Sequence, residues 1–272
     1  MNYIEITIKA DTQLQEILIA ELENTGFESF EQDDENLKAF IKQDLFDENN
    51  LNIISNKYSL IYSKSIIKQQ NWNELWESNF QPVTVGSFVA VRASFHKSIP
   101  NTKHEIVITP KMSFGTGHHA TTFMMMELME QIDFKNKEVA DFGTGTGVLA
   151  ILAEKLGAAK VWATDNDDWY IENAEENFKN NSIQNIDIQK IESFNSNKKF
   201  NIILANINKN IILDNFQALS NSLLPNGILL LSGLLQTDET DILSKASELK
   251  LTHKLTKEKN GWLAIWFCKT IG

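Results

Sequence analysis

The chain has 272 residues, 42% hydrophobic and 22% charged, which is the composition of a folded globular protein with length enough for two domains. Its net charge of −11 and single arginine, Arg92, oppose an electrostatic grip on nucleic acid, which needs clustered cations. One cysteine, Cys268, excludes an intrachain disulfide and any cysteine-built metal site, and the longest apolar run, 228–231 and on to 235, is too short to cross a bilayer.

Residues 3–8 alternate apolar and polar side chains at a period of two, which predicts a strand. With Glu5 among them they do not form a signal peptide, and a cytoplasmic protein is expected. Asp11 or Thr12 is placed to cap a helix with Leu14, Ile17, Leu18 and Leu22 on one face, ending near Gly26. Segments 27–31 and 37–41 form a hairpin around 33–36, followed by a second helix over 46–54 and a strand over 63–68. That order is the ferredoxin-like split βαβ pattern, a small α+β domain over 1–70. It holds thirteen acidic residues against six lysines. Such a surface is either simply solvated or attracts a basic protein.

Residues 71–82 read as a linker helix stopped at Pro82, with Trp72 and Trp76 on one face. Runs 83–91 and 105–109 predict strands around a loop at Pro100, and 123–132 a helix. Strands are then expected at 139–142, 161–164, 186–189, 202–205 and 227–231, with helices between them. This alternation implies a parallel sheet covered on both faces. After a helix near 237–249, runs 251–256 and 262–267 meet at Asn260-Gly261, a hairpin turn. A mostly parallel seven-stranded α/β sheet that ends in an antiparallel hairpin is the Rossmann-like class I methyltransferase architecture, expected here over 83–272.

The chemistry concentrates in four segments. Val139-Ala140-Asp141-Phe142-Gly143-Thr144-Gly145-Thr146-Gly147 joins a strand to a helix, and its glycines let backbone approach a ligand at a helix N-terminus. Val148 stands where a dinucleotide fingerprint has its third glycine. Asp141 repels a pyrophosphate but accepts from an ammonium, which favours S-adenosyl-L-methionine. Asp165, at the end of the next strand, either accepts from ribose hydroxyls or caps the following helix. Asn206, past the fourth strand, either caps a helix or uses its amide oxygen to hold an amine N–H and aim the nitrogen lone pair at a methyl group. The stretch from Ser113 to Thr122 carries two glycines and suggests a mobile lid. There Thr121 or Thr122 caps a helix or touches ligand, and a histidine is either a ligand contact or structural. His118 and His119, with no Cys, Asp or Glu beside them, are not read as a metal site.

Taken together, these segments resemble the ribosomal protein methyltransferase family that modifies the large-subunit stalk-base protein L-eleven. The family's N-W-x-E-x-W-x-x-x-F-x-P segment is matched from Asn71 to Pro82. Its F-G-T-G-x-H-x-T-T loop is matched from Phe114 to Thr122, with Ala120 in place of the usual proline. The glycine loop, Asp165 and Asn206-Ile207 match as well. The resemblance implies cofactor contacts at Thr122, Gly143, Asp165 and Asn206, with Gly145, Phe114 and His119 completing the candidate set and Asn206 acting in methyl transfer. It implies a substrate-recognition role for the acidic first module, methylation of lysine side chains and an N-terminal amine of a basic protein, and a monomer without nucleic-acid or membrane partners. The rivals are a nucleic-acid methyltransferase, a nicotinamide-dependent oxidoreductase and a catalytically silent cofactor-binding module.

Overall fold

Burial of every second side chain in β1 (Tyr3–Lys9) starts the first sheet: Ile4, Ile6 and Ile8 point to one face and are buried. The structure, a computed structural model, describes residues 2–67, 80–109 and 115–270. The chain divides into two units, Met1–Asn79 and Phe80–Gly272. In the first, Asp11 caps α1 (Thr12–Glu23) by accepting from Leu14 N at 2.9 Å. The order continues with β2 (Ser29–Gln32), β3 (Asn36–Lys42), α2 (Glu48–Lys57) and β4 (Tyr62–Ile67). The antiparallel sheet order β2-β3-β1-β4 is the ferredoxin-like arrangement. Leu18, Leu22, Leu51 and Ile54 of the helices pack on Ile4, Ile6, Leu37 and Ile41 of the sheet. Helix α2 begins later than the apolar pattern suggests, because Asp47 takes the cap position and leaves Phe46 outside.

In the second unit, the expected single strand over 83–91 is instead two, β5 (Val83–Val85) and β6 (Val89–Ala93). Gly86 has φ +52° and Phe88 N donates to Val85 O at 3.0 Å, a tight turn that alternation alone does not reveal. With β7 (His104–Ile108) they form a three-stranded sheet. The linker helix expected at 71–82, with Trp72 and Trp76, lies almost wholly outside the described residues.

On this small sheet Arg92 pairs with Glu105 at 2.8 Å, and Ser98 Oγ and Ile99 N donate to the other carboxylate oxygen. These donors hold the Glu105 carboxyl down at about 2, the Arg92 bond contributing most. A carboxylate held below its unfolded value stabilises the fold above that value and stops doing so as pH falls through the folded one. Glu105→Gln is therefore expected to cost about 1–2 kcal/mol at neutral pH. The gap in melting temperature between the two proteins should narrow as pH falls from 4.5 towards 2.

The remainder builds the large sheet from α3 (Ala120–Met129), β8 (Glu138–Phe142), α4 (Val148–Lys155), β9 (Lys160–Asp165), α5 (Asp168–Asn180), β10 (Ile186–Lys190), β11 (Phe200–Asn206), α6 (Lys209–Ser222), β12 (Leu223–Leu235), α7 (Glu239–Glu248), β13 (Leu251–Lys259) and β14 (Trp262–Lys269). Its order is β10-β9-β8-β11-β12-β14-β13, parallel through β12, with β14 antiparallel to both neighbours. Side chains alternate between two cores. Val139, Ile202 and Leu204 face Met125, Ile151 and Phe178 of α3, α4 and α5, while Ala140, Ile203 and Ala205 face Phe216, Leu219 and Ile242 of α6 and α7. Successive strands add outward from β8 to β10, then the chain returns to lay β11 on the other flank of β8. The carboxyl ends of β8 and β11 therefore diverge at a switch point, where such sheets open a ligand crevice. Among the described residues no helix is long and apolar enough to cross a membrane.

Candidate functional site

The turn after β8 is folded onto the end of β9. Gly143 N and Thr144 N both donate to Thr164 O, at 2.9 and 2.8 Å. Gly143 has φ +76°, and a Cβ there would run into Ile207. Gly147 opens α4 from φ +79°, and a Cβ there would lie 2.5 Å from the Phe178 ring. Gly147→Ala is expected to cost about 1–2 kcal/mol from the left-handed backbone alone. Denaturation with and without cofactor checks it.

Asp165, buried at the end of β9, accepts from Gly145 N through Oδ2 at 2.9 Å and from Asn166 N through Oδ1 at 2.9 Å. The cap of α5 is Asp167, which accepts from Trp169 N. The capping alternative for Asp165 therefore falls, and its remaining lone pairs are available to hydroxyls.

Asn206 ends β11 and does not cap a helix either, since Asn208 caps α6 by accepting from Ile211 N. The Asn206 amide Nδ2 donates to Thr122 Oγ1 at 3.1 Å, and its Oδ1 is buried with no partner among the described residues. Leaving such an acceptor unpaired costs about 1–3 kcal/mol, so a ligand donor is the natural occupant.

Thr121 and Thr122 are fully buried in the first turn of α3, whose cap is His119 rather than either threonine. The imidazole Nδ1 accepts from Thr121 N at 3.4 Å and lies 2.8 Å from Thr121 Oγ1. Thr122 does not line the cavity, and its hydroxyl accepts from the Asn206 amide. His118 is structural: its Nε2 lies 2.8 Å from Gln81 O, and its ring meets Phe80 edge to face. Phe114 lies outside the described residues.

Beneath the glycine turn, burial pushes the Asp141 carboxyl up to about 7, offset in part by Thr144 Oγ1, which donates to Oδ2 at 2.7 Å. The Ala150 backbone N–H also favours the ionised carboxyl, and Asp141 Oδ1 is buried with no close hydrogen-bond partner among the described residues.

A cavity of about 410 Å³, within the range of small-molecule sites, opens at the glycine turn, with Asp141 and Thr122 outside its lining. Gly143, Gly145, Asp165, Asn206 and His119 all line it. So do Tyr170, Gly233 and Trp262, which sequence reasoning did not assign. Gly233 carried a signal, a glycine inside a strand run. It marks the bulge between Ser232 and Leu234, has φ +83°, and a Cβ there would strike the Ile207 carbonyl. Trp262 carried none beyond being aromatic.

The model of the family described as "Ribosomal protein L11 methyltransferase (PrmA)" matches residues 7–270. The chain belongs to that family. A Porphyromonas gingivalis relative named as a ribosomal protein L11 methyltransferase is 41% identical over 98% of both chains. A Phocaeicola vulgatus relative of the same name is 36% identical over 98% of this chain and 99% of its own. The crystal structure of a ribosomal protein L11 methylase from Lactobacillus delbrueckii subsp. bulgaricus is 30% identical, with a TM-score of 0.66 over 71% of this chain and 100% of that one.

This member of the ribosomal protein L11 methyltransferase family is thus a methyltransferase that uses S-adenosyl-L-methionine. The site fits that cofactor: a buried carboxylate, Asp165, lines one side of the cavity and an orphaned amide oxygen, Asn206 Oδ1, the other. When bound, the cofactor supplies an electrophilic methyl group on a sulfonium.

Proposed function

We propose that this methyltransferase modifies amino groups, lysine side chains and the N-terminal amine, of the basic ribosomal protein L11. The observation that carries the reading is the unpartnered Asn206 Oδ1 at the mouth of the β8–β11 switch point. The amide is fixed by Thr122, so its oxygen is oriented before an amine arrives. An attacking amine must be neutral, and lysine and α-amines have ordinary pKa values of about 10.4 and about 7.7–8.0. Water takes that proton, and Asn206 Oδ1 accepts a remaining N–H and turns the lone pair towards the methyl carbon. The nitrogen forms the N–C bond while the C–S bond breaks with its electron pair going to sulfur. Asp165 and Gly145 hold the ribose end, Gly143 lets the backbone approach closely, and His119 borders the methyl-transfer end; the family resemblance adds Phe114 as a cofactor contact.

The first unit, 1–70 in this reading, is the substrate-recognition domain, joined by the 71–82 segment to the catalytic domain of 83–272. Its charge supports that role. Lys9, Lys38, Lys42, Lys57 and Lys64 each pair with a glutamate, so the surplus presented to a partner is carboxylate. The enzyme acts in the cytoplasm as a monomer and does not read nucleic acid directly. Incubation with methyl-labelled S-adenosylmethionine and either total ribosomal proteins or bare ribosomal RNA tests the proposal. Label is expected in ribosomal protein L11, retained after digestion as methylated amines. Label in the RNA alone, or none in protein, would sink the reading.

A further inference from the structure

Two walls of the cavity are organised by one helix start. At the N-terminus of α3, Thr122 fixes the Asn206 amide, and three residues earlier His119 meets the Trp262 ring edge to face, with centroids 4.8 Å apart at 72°. Trp262 begins β14, pairing with Leu235 of β12 and Lys259 of β13. The β13–β14 hairpin is strapped to α3 at two further points. Lys259 Nζ lies over the Phe123 ring, 3.3 Å from its centroid, and Lys257 pairs with Glu127 at 3.1 Å. The indole is therefore held in place relative to Asn206 by contacts within one rigid corner rather than by a loop.

Charge is distributed unevenly around this cavity. Both lining carboxylates, Asp165 and Glu192, come from the β9–β10 side of the switch point. The β11–β14 side contributes Asn206, Ile207, Gly233 and Trp262, with no carboxylate. During methyl transfer, positive charge moves from sulfur to the acceptor nitrogen. An aromatic face attracts such a charge without hydrogen-bonding the amine or holding it protonated, which a carboxylate would do.

We propose that the Trp262 indole, positioned by His119, is the platform that receives the acceptor amine and stabilises the charge growing on its nitrogen. This rests on the reading of the site as an amine methyltransferase. Trp262 is then a catalytic residue for the acceptor half of the reaction, and His119 a positioning residue acting through it.

Trp262→Leu is expected to lower kcat/KM for the ribosomal protein about tenfold or more, while Trp262→Phe, which keeps a π face, recovers most of it. Affinity for S-adenosylhomocysteine, measured by calorimetry, should stay within about twofold in both, which also verifies folding. Tetramethylammonium, a cation with no proton to donate, isolates the aromatic contribution. It should compete with the protein substrate in the parent enzyme and lose about tenfold in potency in Trp262→Leu, with Trp262→Phe in between. His119→Ala should raise the inhibition constant for tetramethylammonium in the same direction.

Unchanged transfer in Trp262→Leu, or equal inhibition by tetramethylammonium in all variants, overturns the proposal. So does a loss of S-adenosylhomocysteine affinity parallel to the loss of transfer, because Trp262 would then be a cofactor wall. Failure of the parent enzyme to label any protein refutes the functional reading alone. In that case calorimetric titration of tetramethylammonium into the S-adenosylhomocysteine complex still reports whether the platform exists.

Discussion

Asn206→Ala is expected to lower kcat by about 10²–10³, with S-adenosylmethionine affinity changed by no more than about threefold. The asymmetry follows from where the side chain is spent. Nδ2 is committed to Thr122, which leaves only the orphaned Oδ1 for a reacting group. The cavity is otherwise built by groups that survive the substitution: the Gly143 turn, Asp165 and the Gly233 bulge. Removing an acceptor that an amine meets only as it attacks costs transition-state stabilisation and little ground-state binding. Asn206→Ala also removes a buried unsatisfied oxygen, so its melting temperature should not fall in step with its activity. Thr122→Val is the partner experiment. It keeps the amide but frees it to rotate, and should cost turnover to a smaller degree. Equal loss of cofactor binding and turnover in Asn206→Ala would move this residue out of methyl transfer and into the cofactor wall.

The sequence carried the site in proportion to how local each contact is. Gly143, Gly145 and Asp165 were legible because a strand–glycine turn–helix unit followed by an acid at the next strand end is a pattern written in consecutive residues. Asn206 was legible from its place at a strand end. Its competing role as a cap was excluded only once Asn208 was seen to cap α6. Trp262 was illegible because it reaches the cavity through β14, far along the chain, and the strand's alternation equally suits an ordinary packed tryptophan. The same limit produced the error over 83–91. Alternation survives a turn whose residues happen to continue the pattern, and Gly86 was the only local mark of the break. His119 as a helix cap was hidden for a related reason. Threonine is the commoner capping residue, and only the three-dimensional placement of Nδ1 beside Thr121 reverses the preference.

Asp141→Asn should weaken S-adenosylmethionine binding about 10–100-fold at pH 8 and remove most of its pH dependence. In the free enzyme the Asp141 carboxyl titrates at about 7, raised chiefly by burial and further by the charge of Asp165. Only the ionised form pairs with an ammonium, so binding in the parent enzyme releases a proton below that value. Its affinity should rise as pH approaches 7 from below and level off above it. Stability runs the other way. A carboxyl whose folded pKa is raised from 3.8 to about 7 contributes stability at low pH, and that contribution is lost as pH rises through the folded value. The unliganded parent protein should therefore lose melting temperature relative to Asp141→Asn between about pH 4 and 7, with the difference constant above that. Thr144 Oγ1 has an acceptor in either protein, which keeps the glycine turn folded in the variant. A variant that is more heat-resistant at pH 8 without cofactor and binds cofactor more weakly would mean that the enzyme holds a destabilising charge in its core for the sake of its ligand. Identical pH profiles for the two proteins, measured by calorimetry in buffers of different ionisation heat, would show instead that Asp141 stays out of contact with the ammonium and serves the turn alone.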